Sequence, residues 1–150
     1  PNPNGHSVGT LDGNHSFVRS LTRPKNMRIS HKEFEEAVEQ ALAMIPEMFR
    51  AQLRNMTITV EDQPSRELRQ EMGMAPDETL FGLFTGIPLP ERAVTEPPLY
   101  PDEIIIFREP LMAACHSREE LEEEIVITVV HEMAHYIGLS EEQLEALGYA

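Results

Sequence analysis

The sequence predicts a single small α+β domain in which a short three-stranded sheet packs against an N-terminal helix and a long helix near the C-terminus, with a short last helix closing the chain. Three observations carry this expectation. A chain of 150 residues is long enough for one hydrophobic core, and one compact domain is the default expectation. Apolar residues recur at helical spacing in two stretches, each opened by a Ser with a Glu three residues later. Between those stretches lie three short runs rich in β-branched and aromatic residues.

Residues 1–26 hold six Gly or Pro, several Asn and Ser, and no apolar periodicity, so they read as an extended tail to a domain over 27–150. His6 and His15 fall in that tail, where a histidine is expected to be solvated. Ser30 and Glu33 form a capping-box pattern, and Phe34, Ala37, Val38, Ala41, Leu42 and Ile45 then define a helix over 31–45. Pro46 interrupts it, with Met48, Phe49 and Leu53 continuing the buried path as an irregular turn. Alternation around Ile58 and Val60 predicts a strand over 56–61. Ser65 opens a short helix that Gly73 ends. Residues 79–87, with LFGLFTG at their heart, read as a second strand with glycine irregularities, and the backbone of 81–86 reads equally as a plain member of the sheet or as an edge that receives an extended peptide. Five prolines enforce an extended connection over 87–102. The run IIIF then predicts a third, central strand over 103–108.

Ser117 and Glu120 repeat the capping-box pattern and open a long helix through Ile137, stopped by Gly138, which tolerates a left-handed conformation. Ser140 caps a last helix over 141–147. Composition, with 41% apolar and 25% charged residues, is that of a globular domain. The formal net charge is −14, and 117–150 holds nine glutamates against the single Arg118, which counts against a nucleic-acid partner. The acidic run 119–124 reads first as a solvated helix start. No apolar run approaches the roughly 20 residues of a membrane span. The single cysteine, Cys115, fits a reducing compartment, so a cytoplasmic location is expected, and Cys115 itself reads as a buried small hydrophobe.

The chemistry lies in VVHEMAHYIGLSEEQL. His131 and His135 stand four residues apart, which aligns them on one helical face with Cβ atoms about 6 Å apart, close enough for both imidazoles to reach one tetrahedral zinc ion. At about 100° per residue, His135 lies about 40° from His131, Thr128 about 60° and Glu132 about 100°, while Val126, Val130, Met133 and Ile137 cluster at about 200–260°. The apolar stripe is therefore expected on the core and the histidines toward a separate space with room for a cleft. Glu132 sits beside the histidine face without occupying a ligand position, as a general base for an activated water must. His116 lies about 22 Å before His131 along a continuous helix and is not expected to share the ion. Tyr100, Tyr136 and Tyr149 read as packing residues before oxyanion donors.

His131, Glu132, His135, Gly138 and Glu141 stand as HEMAHYIGLSE, which resembles the metzincin pattern H-E-x-x-H-x-x-G-x-x-H/D with Glu at the last place. The stretch 31–147 more closely resembles the small bacterial zincin-like proteins called minimal zincins, through SHKEFEEAVEQALAMIP, TITVEDQP, LFGLFTGIPL, PDEIIIF and the motif helix. That resemblance implies a compact α+β metallopeptidase fold, Zn²⁺ as cofactor, a peptide or protein substrate and Glu141 as third metal ligand, with Glu142 or Glu145 as alternatives because Glu is one methylene longer than Asp. Only nine residues follow Glu141, too few for the methionine turn of larger metzincins. The expected activity is zinc-dependent peptide hydrolysis with Glu132 as base. The alternatives are a non-catalytic zinc-binding regulatory module and an endoribonuclease, since the ligand spacing also resembles the metal motif of a bacterial rRNA-processing enzyme. That family carries His at the last position and lacks the glutamate.

Overall fold

The structure, a computed structural model, describes residues 18–20, 27–86 and 102–149. In chain order the elements are β1 (Val18–Ser20), α1 (His31–Met44), α2 (Glu47–Leu53), β2 (Met56–Glu61), α3 (Arg66–Glu71), β3 (Glu78–Leu80), β4 (Gly82–Thr85), β5 (Asp102–Phe107), α4 (Arg108–Ala114), α5 (Arg118–Ile137) and α6 (Glu141–Ala146). The α+β class and the three-stranded sheet agree with expectation. The sheet order is β2-β5-β4, with β2 parallel and β4 antiparallel to the central β5.

Burial of alternate side chains divides β5 between two apolar clusters. Ile104 and Ile106 face the main core with Phe84, and there they meet Phe34, Ala37, Val38 and Ala41 from α1 and Ile125, Val129 and Met133 from α5. Ile105 and Phe107 turn to the opposite face, where Leu80, Leu83, Met72 and Leu68 close a smaller cluster. The sheet is thus a partition, with α1 and α5 on one side and α3 on the other.

Local signals hold where they were strong. Ser30 accepts a hydrogen bond from the Glu33 amide at 3.1 Å, and the Glu33 side chain returns one to the Ser30 amide, so the capping box of α1 is complete. At α5 only half of the expected box forms: Ser117 accepts from the Glu120 amide, while the Glu120 carboxylate takes the His116 amide instead. Gly138 ends α5 at φ 91°, donating to the Ala134 carbonyl.

Four expectations are corrected. Residues 47–53 form a true helix, α2, because Pro46 is tolerated just before a helix start. The expected strand 79–87 is two strands that break at Phe81 and join different sheets, β3 pairing with β1 and β4 with β5. Helix α4 was not foreseen at all; it has no side-chain cap, and the Glu109 amide is satisfied by the Asp62 carbonyl at 2.9 Å, a partner far away in sequence. Finally, the expected tail contributes β1, whose register places Val18 opposite Leu80. The proline-rich connection over 87–101, His6, His15 and Tyr100 lie outside the described residues.

Candidate metal centre

Helix α5 crosses the face of the sheet so that its second half is enclosed. Every residue from Val129 to Tyr136 is buried, including His131, Glu132 and His135. The apolar stripe packs on the core as expected, and the histidine face, expected toward a separate space with room for a cleft, is itself buried. Its neighbour is β4. A Cβ on Gly82 would lie 2.5 Å from Cγ2 of Thr128 and 3.1 Å from the Ile105 carbonyl oxygen, so the helix and strand approach as closely as they do only because residue 82 is glycine.

That approach brings Glu132 to the strand. The Phe84 amide donates to Oε1 of Glu132 at 2.6 Å, a short bond in a fully enclosed position. Glu132 is only 1% exposed, and a buried carboxylate needs such donors to offset its lost hydration. Four residues on, the ring of Tyr136 packs at 59° on the ring of Phe84, centroids 5.6 Å apart. Thr128 turns its hydroxyl back to the Glu124 carbonyl at 2.7 Å and leaves its methyl toward Gly82. Tyr149 packs edge-on against Phe49, and Cys115 is fully buried in the core, both as packing residues should be. His116 is exposed.

After the Gly138 turn, Ser140 caps α6 in a complete capping box with Gln143. Of the three glutamates weighed for the ligand position, Glu142 and Glu145 are exposed, whereas Glu141 is half-buried. Its Oε1 is enclosed and has no hydrogen-bond partner among the described residues. Burial pushes the Glu141 carboxyl above its ordinary value. A desolvated carboxylate oxygen lacking a donor is a position that a cation would relieve. Two imidazoles at i and i+4 and one carboxylate are the donor types that zinc takes, so the residue types present suit that metal. Among the described residues, however, no three His, Cys, Asp or Glu side chains are gathered closely enough to hold an ion.

Sequence reasoning missed the contribution of Phe84. Its side chain was legible only as part of an apolar run, and its role here runs through a backbone amide that no residue type advertises.

A family model described as zincin-like metallopeptidase matches residues 53–149, about two thirds of the chain. The match runs from the last residue of α2 through the residues after α6, so it contains the sheet, α5 and Glu141, while α1 lies outside it. No curated protein matches the chain.

Proposed function

The chain belongs to the zincin-like metallopeptidase family, and from that premise we propose that it is a zinc-dependent peptidase in which His131, His135 and Glu141 hold the metal and Glu132 is the general base. The observation that carries this reading is the enclosed Oε1 of Glu141, one short turn after the helix that bears both histidines. Bound there, zinc would supply the Lewis acidity that makes a water nucleophilic near neutral pH and polarises a peptide carbonyl.

The remaining work falls to the chain itself. Glu132 takes a proton from the attacking water on its carboxylate and delivers it to the leaving amine. Residue 131 precedes it and residue 135 follows one turn later, so the base stands beside the ligand pair on the same helix and moves with it. Among the described residues β4 is the last strand of its sheet, and its outer edge would offer main-chain groups to an extended peptide, bringing a scissile bond alongside Glu132. No helix among the described residues is long and apolar enough to cross a membrane.

The test compares the wild-type chain with Glu132→Gln. Zinc stoichiometry is expected to persist while peptide hydrolysis disappears, and unchanged turnover would remove Glu132 from the mechanism. A second reading, a zinc-binding module without catalysis, is favoured by the enclosure of the histidine face. Stoichiometric zinc with no cleavage of any member of a broad peptide library supports that reading, and metal-dependent cleavage eliminates it.

A further inference from the structure

The register of β4 decides where its amides point. Phe107 donates to the Phe81 carbonyl at 2.9 Å, and β4 continues this pairing with Leu83 opposite Ile105 and Thr85 opposite Glu103. In an antiparallel ladder bonded and non-bonded pairs alternate, so Gly82 and Phe84 turn their main-chain groups away from β5. The Phe84 amide is therefore not part of the ladder. It lies on the outer edge, and Glu132 reaches up from α5 to take it at 2.6 Å. The ring of the same residue points to the helix face and packs on Tyr136. Phe84 thus touches α5 at two levels one turn apart, by its amide at Glu132 and by its ring at Tyr136.

We propose that Phe84 is the positioning residue for Glu132: its outward amide fixes the carboxylate at the edge of β4, and its ring, seated on Tyr136, keeps that amide in place. This inference rests on the reading of Glu132 as the base, and it adds a prediction about substrate. A peptide lying along the β4 edge cannot use the Phe84 amide, because Glu132 already holds it. The hydrogen-bond ladder between strand and substrate therefore carries a gap at Phe84, and the scissile bond sits in that gap, opposite the base.

Two measurements test it. The first needs no activity. In the full chain, with and without zinc, the Phe84 amide proton is expected to resonate far downfield and to exchange slowly. In Glu132→Asp, one methylene too short to reach, exchange at Phe84 is expected to quicken about tenfold or more, while the ladder amide of Leu83 is unaffected. Equal exchange of the Phe84 amide in both proteins overturns the proposal, and this arm stands whether or not Glu132 proves to be catalytic. The second compares Phe84→Ala with Phe84→Pro. Both remove the ring and only the second removes the amide, and proline is compatible with an edge position whose N–H lies outside the ladder. Zinc stoichiometry is expected to match in the two variants, with kcat about tenfold or more lower in Phe84→Pro and KM alike. Equal kcat in the two variants denies the amide its role. Normal turnover in Glu132→Gln instead removes the base assignment and leaves the exchange result to stand by itself.

Discussion

Helices α1 and α5 begin alike and end as opposites. Each is capped by a serine and carries an acidic first turn. Helix α1 then buries Phe34, Ala37, Val38 and Ala41, packs Leu42 beside them, and leaves its polar residues to solvent. Helix α5 buries its apolar stripe too, and then also encloses Thr128, His131, Glu132 and His135, residues that α1 would have kept in water. One stripe accounts for the stability of an amphipathic helix. Burying a second, polar face works against folding, so the difference between the two helices marks the surplus that folding does not explain. That surplus is where the proposed metal chemistry is placed.

The sharpest way to break the comparison is to change a residue on each helix and read both stability and activity. Glu132→Gln in α5 is expected to reduce peptide hydrolysis by about 10²- to 10⁴-fold while zinc content, measured by metal analysis, is retained. Phe34→Ala in α1 is expected to cost about 3–5 kcal/mol by denaturant titration, with the zinc stoichiometry of the protein that remains folded unchanged. If Phe34→Ala alone lost the metal, the division of labour between the helices would be wrong.

Zinc itself should distinguish the two faces. At about one hundred times its dissociation constant, zinc is expected to stabilise the wild type by about 2.7 kcal/mol, seen as a rise in melting temperature that chelation reverses. The rise should vanish in His135→Ala and survive any exposed substitution on α1. Gly82→Ala probes the approach of α5 to β4. A methyl there overpacks against Thr128 at an expected cost of about 1–3 kcal/mol, and Thr128→Ser, which removes the opposing methyl, should recover part of it in a double-mutant cycle.

The smallest effect belongs to the cap of α1. The Ser30 amide, and then its hydroxyl, bond the Glu33 carboxylate and hold it below its ordinary value. A carboxyl depressed in the folded state contributes stability that is present above its unfolded value and is lost as pH falls through its folded one. Glu33→Gln should lower stability slightly at neutral pH and leave it almost unaltered at acid pH, so that the acid limb of the stability profile flattens.

How much of this was legible follows from the range of each signal. Helices α1 and α5, β2 and the caps were readable because periodicity and capping act within a few residues. The split of residues 78–85 at Phe81 was not, since both sides favour strand and only their distant partners, β1 and β5, tell them apart. Helix α4 escaped because its unsatisfied amide is met by Asp62, 47 positions before Glu109 in the chain. At the proposed site, the i and i+4 spacing of the histidines and the adjacent glutamate are local signals that a sequence carries. The enclosure of that face and the bond from Phe84 to Glu132, 48 residues apart, did not.

The Phe84 to Glu132 bond has a bearing on solubility as well. Among the described residues β4 is an edge strand, and its sequence GLFT, apolar and uncharged, is the kind of template on which a second chain can lay a strand and begin to aggregate. By occupying one of the outward amides of β4 with a buried carboxylate, the protein removes one rung from any strand that pairs there, so that a second chain would bind the edge with one bond fewer. Replacing Glu132 by an apolar residue would free that amide and restore the rung, so that the same carboxylate weakens self-association along β4.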